Sequence, residues 1–103
     1  MNTLALSEFR MGNYLEAIVA SNISIEKLPR ELGLPAPFPG DYGVIAASHL
    51  MLGEKAEAQK FRAMMAEGFK SKRFRNDADC VRLVKEVNKL FASQKAQAIA
   101  VSE

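Results

Sequence analysis

The chain has 103 residues, of which 49% are hydrophobic and 25% are charged, and its net charge at neutral pH is +2. This length supports one domain with a modest core, and the composition is that of an ordinary soluble globular protein. The N-terminus lacks a secretion signal and no apolar run reaches the length of a membrane span, so we expect a cytoplasmic protein with no membrane association.

The first 22 residues predict two helices joined at a glycine. The first helix runs from about Thr3 to Met11 and ends at Gly12, because glycine readily adopts the left-handed conformation that closes many helices. The second helix begins at Asn13, which together with Glu16 matches the pattern of a capping box. We expect this helix to end between residues 20 and 22.

Residues 24–40 contain all four prolines of the chain, and we expect them to form an irregular connection. Each proline removes a backbone hydrogen-bond donor and restricts the residue before it, so no long helix should cross this segment. A short helical turn around residues 26–32 is compatible with the pattern.

Two further helices follow the proline-rich connection. Asp41 is a suitable N-terminal cap for a helix from Tyr42 to Leu52, which ends at Gly53. The next helix runs from Glu54 to about Phe69, and its apolar residues, spaced three and four apart, lie on one face. These apolar residues are Ala58, Phe61, Met65 and Phe69.

The last predicted helix starts near residue 76 or 77 and runs to about Phe91. Its apolar stripe covers one side and leaves the charged residues for water, and such a helix can cap the open end of a helical stack. We expect the tail, residues 93–103, to fray. The stripe consists of Cys80, Leu83, Val84, Val87, Leu90 and Phe91.

A pattern around the two glycine turns occurs twice, in residues 4–17 and in residues 45–58. In each copy a helical run rich in small residues ends at a glycine, and an alanine follows five residues later. Small side chains at fixed positions let two helices approach closely, as stacked helical pairs require. The matched pairs are Leu4 and Ile45, Ala5 and Ala46, Ser7 and Ser48, Leu15 and Ala56, Glu16 and Glu57, and Ala17 and Ala58.

This unit resembles the tetratricopeptide repeat (TPR). Gly12, Tyr14 and Ala17 carry the likeness in the first copy, and the second copy keeps Gly53 and Ala58. The resemblance covers roughly residues 1–70, and it implies stacked antiparallel helix pairs in a protein that binds other proteins and is not an enzyme. The two glycines are 41 residues apart, whereas a regular array repeats at about 34, so we predict an irregular array.

We therefore predict an all-α fold, in which a TPR-like stack of two antiparallel helix hairpins and a C-terminal capping helix occupies residues 1–92. The resemblance implies a scaffold or adaptor that binds another protein or peptide in a groove on the first and third helices. The first helix is shorter than is regular in this family, so we expect either a natural protein that starts with a shortened helix or a piece of a larger regulatory protein. The implied groove residues are Asn2, Leu6, Phe9, Arg10, Ala47, Leu50 and Met51.

Charge is segregated along the chain. Residues 60–75 contain six basic residues and one acidic residue, whereas residues 1–59 contain four basic and seven acidic residues. A basic run with interleaved aromatics suits a nucleic-acid backbone, although the helix dipole also favours cations at the end of the fourth helix. Nucleic-acid binding is the alternative function, and its expected contacts are Lys70, Lys72, Arg73 and Arg75.

Two further hypotheses concern association and chemistry. A truncated repeat with an uncovered end can associate with its own copy through the exposed N-terminal repeat face. His49 is the only histidine and Cys80 the only cysteine, which is too few for a structural zinc site. His49 lacks a neighbouring nucleophile in sequence, so we expect a packing or surface histidine. Cys80 follows a cationic segment that could favour a reactive thiolate, but its place on the apolar stripe favours a small buried hydrophobe. We therefore expect no catalysis, metal or cofactor.

Overall fold

The computed structural model describes residues 3–33, 39–70 and 78–102, and these residues form five α-helices and no strand. We number the helices in chain order: α1 is Thr3–Arg10, α2 is Tyr14–Leu32, α3 is Pro39–Met51, α4 is Lys55–Phe69 and α5 is Ala78–Ser102. The prediction of an all-α fold is confirmed for this part of the chain.

The third helix, α3, lies at the centre of the fold. It contacts each of the other four helices, and nine of its thirteen residues are buried, so it has no broad solvent-facing side. Its composition suits this position because the buried residues are mostly small. They are Pro39, Gly40, Asp41, Gly43, Val44, Ile45, Ala46, Ala47 and Ser48.

The two glycine turns have the same hydrogen-bond pattern. In each turn the glycine N–H donates to the carbonyl three residues earlier, at 3.0 Å for Gly12 and 3.1 Å for Gly53. The N–H of the following residue donates to the carbonyl five residues earlier, at 2.9 Å in both turns. This is the Schellman motif, and it needs glycine because φ is +85° at Gly12 and +81° at Gly53.

The matched alanines of the repeated pattern are buried in both copies. Ala5 and Ala46, which precede the turns, have no exposed surface, and neither do Ala17 and Ala58, which follow them. Each turn therefore joins two helices that approach closely at alanine positions. The structural role predicted for the glycines and alanines agrees with this placement.

The second helix is longer than predicted, and the expected irregular connection over residues 24–40 is wrong for most of its length. α2 continues to Leu32 with Pro29 inside it, and Gly33, with φ of +66°, follows its end. A proline inside a helix costs about 3 kcal/mol. The helix nevertheless continues through Pro29, and Ser24, beyond the predicted end of the helix, is buried against α3.

The third helix also begins earlier than predicted, at Pro39 instead of after Asp41. Proline fits the first turn of a helix because its missing N–H would have no partner within the helix there. Asp41 consequently lies inside the first turn, where it is 1% exposed. Residues 34–38, which include two of the prolines, lie outside the described residues.

The last helix carries the predicted apolar stripe. Five of its six members are buried, and Leu90 is half-buried against the same core. Gly43 of α3 lets α5 and α4 approach, since a Cβ there would lie 2.9 Å from Met65 Sδ and 3.3 Å from Val87 Cγ2. The helix continues to Ser102, so its expected end near Phe91 is wrong. Fraying of its last turns stays a prediction.

A buried polar contact joins α2 to α3. The Ser24 hydroxyl donates to Asp41 Oδ2 at 2.8 Å, and both side chains are buried. Two other buried hydroxyls, those of Ser21 and Ser48, have no hydrogen-bond partner among the described residues. Beside Asp41, the Tyr42 ring stacks on Phe61 with the ring centres 6.4 Å apart. Burial and then the charge of Asp41 raise the pKa of Tyr42.

Replacing Ala58 with leucine should destabilise the protein by about 1–3 kcal/mol, because the larger side chain must separate α3 from α4. Ala56→Leu is the matched control, since Ala56 is exposed on the same helix and the change should stay within about 0.5 kcal/mol. Urea unfolding of the two variants measures the difference. Equal losses of stability would contradict close packing at Ala58.

Ser24→Ala should lower the free energy of unfolding by about 1.5–3 kcal/mol, because it removes a hydrogen bond to a buried carboxylate. Ser21→Ala, three residues earlier on α2, should be neutral or stabilising, since its hydroxyl is buried without a described partner. Both changes raise helix propensity equally. Chemical denaturation should therefore separate the two variants, and an equal effect would rule out the Ser24 contact.

The raised pKa of Tyr42 predicts that stability falls in alkali. The folded state favours the neutral phenol, so its contribution is fully present below pH 10, the ordinary pKa. That contribution is lost as the pH rises through the higher folded value. Tyr42→Phe should reduce the alkaline loss of stability, measured by urea unfolding from pH 9 upward. Tyr14→Phe, which removes the other tyrosine hydroxyl, is the control and should retain the loss.

Candidate functional site

The structure leaves little of the predicted groove on the first and third helices open. Ala47 is 1% exposed, so its place in that groove is wrong: α3 is surrounded by other helices and presents no open side there. Met51 is 39% exposed, and Asn2 lies outside the described residues. The remaining apolar members are half-buried and pack against the hydrophobic core, and they are Leu6, Phe9 and Leu50.

The last helix lies against part of this surface. α5 contacts α3, and its apolar stripe belongs to the same hydrophobic cluster as the half-buried groove residues. At the α1 edge, Arg10 Nη2 lies 3.5 Å from Glu86 Oε2 of α5. Both side chains are about half exposed, so this ion pair contributes at most about 1 kcal/mol. Arg10 nevertheless points toward its own chain.

A larger open apolar surface lies between α1 and α2. It is a groove of about 390 Å³, which we call the α1–α2 groove. Its large aliphatic residues are 48–64% exposed. The residues that line it are Leu4, Glu8, Leu15, Glu16, Val19, Ala20 and Ile23.

The groove side of α2 adjoins its buried side, and Ala20, which lines the groove, is buried between them. Leu15, Val19 and Ile23 are spaced four apart and therefore share one face of the helix. The buried face carries small or polar residues, namely Ala17 and Ser21. α2 thus buries small side chains against the rest of the fold and presents its large aliphatic side chains to solvent.

The equivalent face of α4 is more polar. Its residues, which stand 41 positions later in the chain, are Ala56, Lys60 and Met64, and all three are exposed. Lys60 takes the place of Val19, and an alanine takes the place of Leu15. The apolar surface therefore belongs to the first copy of the repeated pattern and not to the second.

On α3, the side equivalent to the groove side of α1 packs against another helix. Asp41 is bonded to Ser24 of α2, and Ile45 lies one helical turn later on the same side of α3, with no exposed surface. Leu4, the equivalent of Ile45 in the first copy, is 61% exposed. The side of α1 that carries Leu4 therefore faces solvent, whereas the equivalent side of α3 packs against α2.

Both charged residues that line the groove are acidic. Glu8 is half-buried, and its Oε2 accepts a hydrogen bond of 2.9 Å from Asn13 Nδ2. This contact corrects the predicted capping box, because the Asn13 side chain bonds back to α1, although its carbonyl accepts the N–H of Ala17 as expected for a helix start. Glu16 is exposed on the first turn of α2.

The histidine and the cysteine are both placed by packing. His49 stacks on Phe61 with the ring centres 5.7 Å apart and an angle of 13° between the planes, and its Nδ1 lies 3.4 Å from Glu54 Oε1. His49 and Glu54 occupy the positions that Glu8 and Asn13 occupy in the first copy. Cys80 is 7% exposed and lies on the apolar stripe of α5.

Of the four expected nucleic-acid contacts, the structure describes only Lys70. Lys70 is exposed, and its Nζ lies 3.2 Å from Glu67 Oε2. The other three expected nucleic-acid contacts, Lys72, Arg73 and Arg75, lie outside the described residues. Nucleic-acid binding through this run stays a prediction.

Within the described ranges, no three His, Cys, Asp or Glu side chains are grouped as metal ligands. None of the described helices combines the length and apolar character needed to cross a membrane. Comparison with known proteins found no family model, no curated protein and no solved structure that matches this chain.

Proposed function

We propose that this chain is a protein-interaction module, in the manner of a scaffold or adaptor, and that the α1–α2 groove holds an apolar helix of its partner. The observation that carries the proposal is one open cavity lined by four large aliphatic side chains, each about half exposed or more. Contiguous apolar surface of this kind marks interaction sites on globular proteins. The four side chains are Leu4, Leu15, Val19 and Ile23.

The shape of the groove favours a helix as the occupant. It runs between two packed helices, and its apolar residues on α2 repeat every four positions, which is the ridge spacing that a third helix can fill. Helix-in-groove binding uses apolar anchors at such spacing. Within the chain itself, the side of α3 that is equivalent to the groove side of α1 packs against a helix, α2.

We also propose that the fold is a TPR-like stack in which α1–α2 and α3–α4 are the two units and α5 is the cap. Support comes from the repetition of the same glycine turn and the same buried alanines in both units. In such a stack each unit leaves one side for its neighbour. The α1–α2 groove is the side of the first unit that no described helix fills.

This proposal moves the binding site from the surface implied by the resemblance. The groove on the first and third helices lies against α5, and its described apolar members other than Met51 are half-buried or buried. Of its described members, Arg10 and Met51 are exposed. A partner helix would find far more apolar surface in the α1–α2 groove.

The double variant Leu15→Asp/Ile23→Asp should lose partner proteins that the wild-type chain retains from a lysate of the source cells. Burying one such side chain contributes about 1.5–3 kcal/mol, so losing both should weaken binding at least tenfold. Quantitative mass spectrometry of the captured proteins measures the loss. Nuclease treatment of the lysate separates protein partners from proteins held through nucleic acid.

Ala56→Asp/Met64→Asp is the matched control, because these residues are exposed at the equivalent positions of α4. It adds the same two carboxylates and should retain the partners. Both double variants should melt within a few degrees of wild type, since all four positions are exposed. Equal retention by the two variants, with both folded, would overturn the proposal.

A further inference from the structure

We infer that the partner helix in the α1–α2 groove is amphipathic and basic, with Lys or Arg residues flanking its apolar stripe. This inference rests on the proposed function and adds the chemistry of the partner. The helix lies on the outer side of α1 and α2 and is supplied by a different protein.

The charges of the groove select a basic partner. Glu8 and Glu16 both line it, and no basic side chain does so in the described part of the chain. Asn13 Nδ2 donates a 2.9 Å hydrogen bond to Glu8 Oε2, which orients this carboxylate near the α1–α2 turn. Complementary charges at the edge of an apolar contact set the choice and orientation of the partner more than its affinity.

The apolar residues fix the pattern of the partner. Leu15, Val19 and Ile23 present a ridge with a spacing of four, which takes anchors at i, i+3 or i+4, and i+7 of an opposing helix. Glu8 is on α1 and Glu16 is on the first turn of α2. The basic residues of the partner therefore flank its stripe near the α1–α2 turn.

A second copy of this chain fits the groove poorly. Two copies joined groove to groove in parallel would bring Glu8 and Glu16 of each copy toward those of the other, and like charges across an interface are unfavourable. Joined antiparallel, they would set these carboxylates against the Ile23 end of the other groove, which has no basic side chain among its described lining residues. In a head-to-tail stack, α4 of one copy would pack against α1 of the next copy in the way that α2 packs against α3 within the chain. Met65, which is the α4 equivalent of Ser24, is already 1% exposed within its own chain.

A displayed library of single helices tests the inference. Each 18-residue helix carries fixed leucines at four stripe positions, and the flanking positions are randomised among Lys, Gln and Glu. On the full wild-type chain, Lys should be enriched over Glu by about 2- to 5-fold at each flanking position that faces a carboxylate, the range expected of exposed ion pairs. On Glu8→Lys/Glu16→Lys the preference should reverse, with Glu enriched over Lys.

The control targets are Leu15→Asp/Ile23→Asp and Ala56→Asp/Met64→Asp. Retention of the library on the first should fall at least tenfold, whereas the second should select the same sequences as wild type. Retention that depends on Leu15 and Ile23 but shows no preference for Lys overturns the inference and leaves the proposed function standing. Equal retention on wild type and both double variants overturns both.

Sedimentation of the wild-type chain over a hundredfold range of concentration tests whether a second copy of the chain occupies the groove. A mass that stays monomeric supports a partner from another protein. Self-association that disappears in Leu15→Asp/Ile23→Asp would assign the groove to a second copy and overturn the inference.

Discussion

The burial of α3 is the constraint on which the rest of the structure depends. A helix that contacts four others can carry large side chains on few of its sides, and Gly43 shows the limit, because a Cβ there would meet Met65 at 2.9 Å. Burial on every side also encloses Asp41, which requires a donor in the fold. Ser24 supplies it, so α2 must remain helical past its predicted end. This buried contact accounts for the helix as far as Ser24, past its predicted end.

The two copies of the repeated pattern share their inner contacts and differ on their outer faces. The glycine turns are equivalent down to individual hydrogen bonds, because a changed turn would misplace both helices of a unit. The outer face bears no such constraint. There Lys60 of α4 stands at the position that Val19 occupies in α2. The lysine favours contact with water, whereas the valine favours an apolar contact. In the second copy, α2 covers the side of α3 that is equivalent to the groove side of α1, whereas in the first copy that side of α1 borders the open groove.

Sequence reasoning succeeded where structure is decided locally. Because glycine readily adopts a positive φ, the sequence marks Gly12 and Gly53 as turns. In the same way, a period of 3.6 residues identifies the apolar stripe of α5. It failed at α2, because the local cost of Pro29 was visible whereas the burial of Ser24 against α3 is a tertiary effect. The groove was missed for a related reason. Periodicity groups residues on one face but does not say which face is covered, and α2 covers its small residues while exposing ones as large as Val19.

If the proposed partner helix binds, this arrangement divides affinity and selection between two sets of groove residues. The aliphatic side chains offer area, which supplies most of the free energy of binding and discriminates little among apolar partners. The carboxylates of Glu8 and Glu16 add little free energy but penalise an acidic neighbour. Because exposed charges are screened beyond about 8 Å at physiological salt, they act only on residues that flank the bound stripe. In the proposed complex, selection would therefore depend on a few positions along one helix more than on the overall charge of the partner or the +2 net charge of this chain.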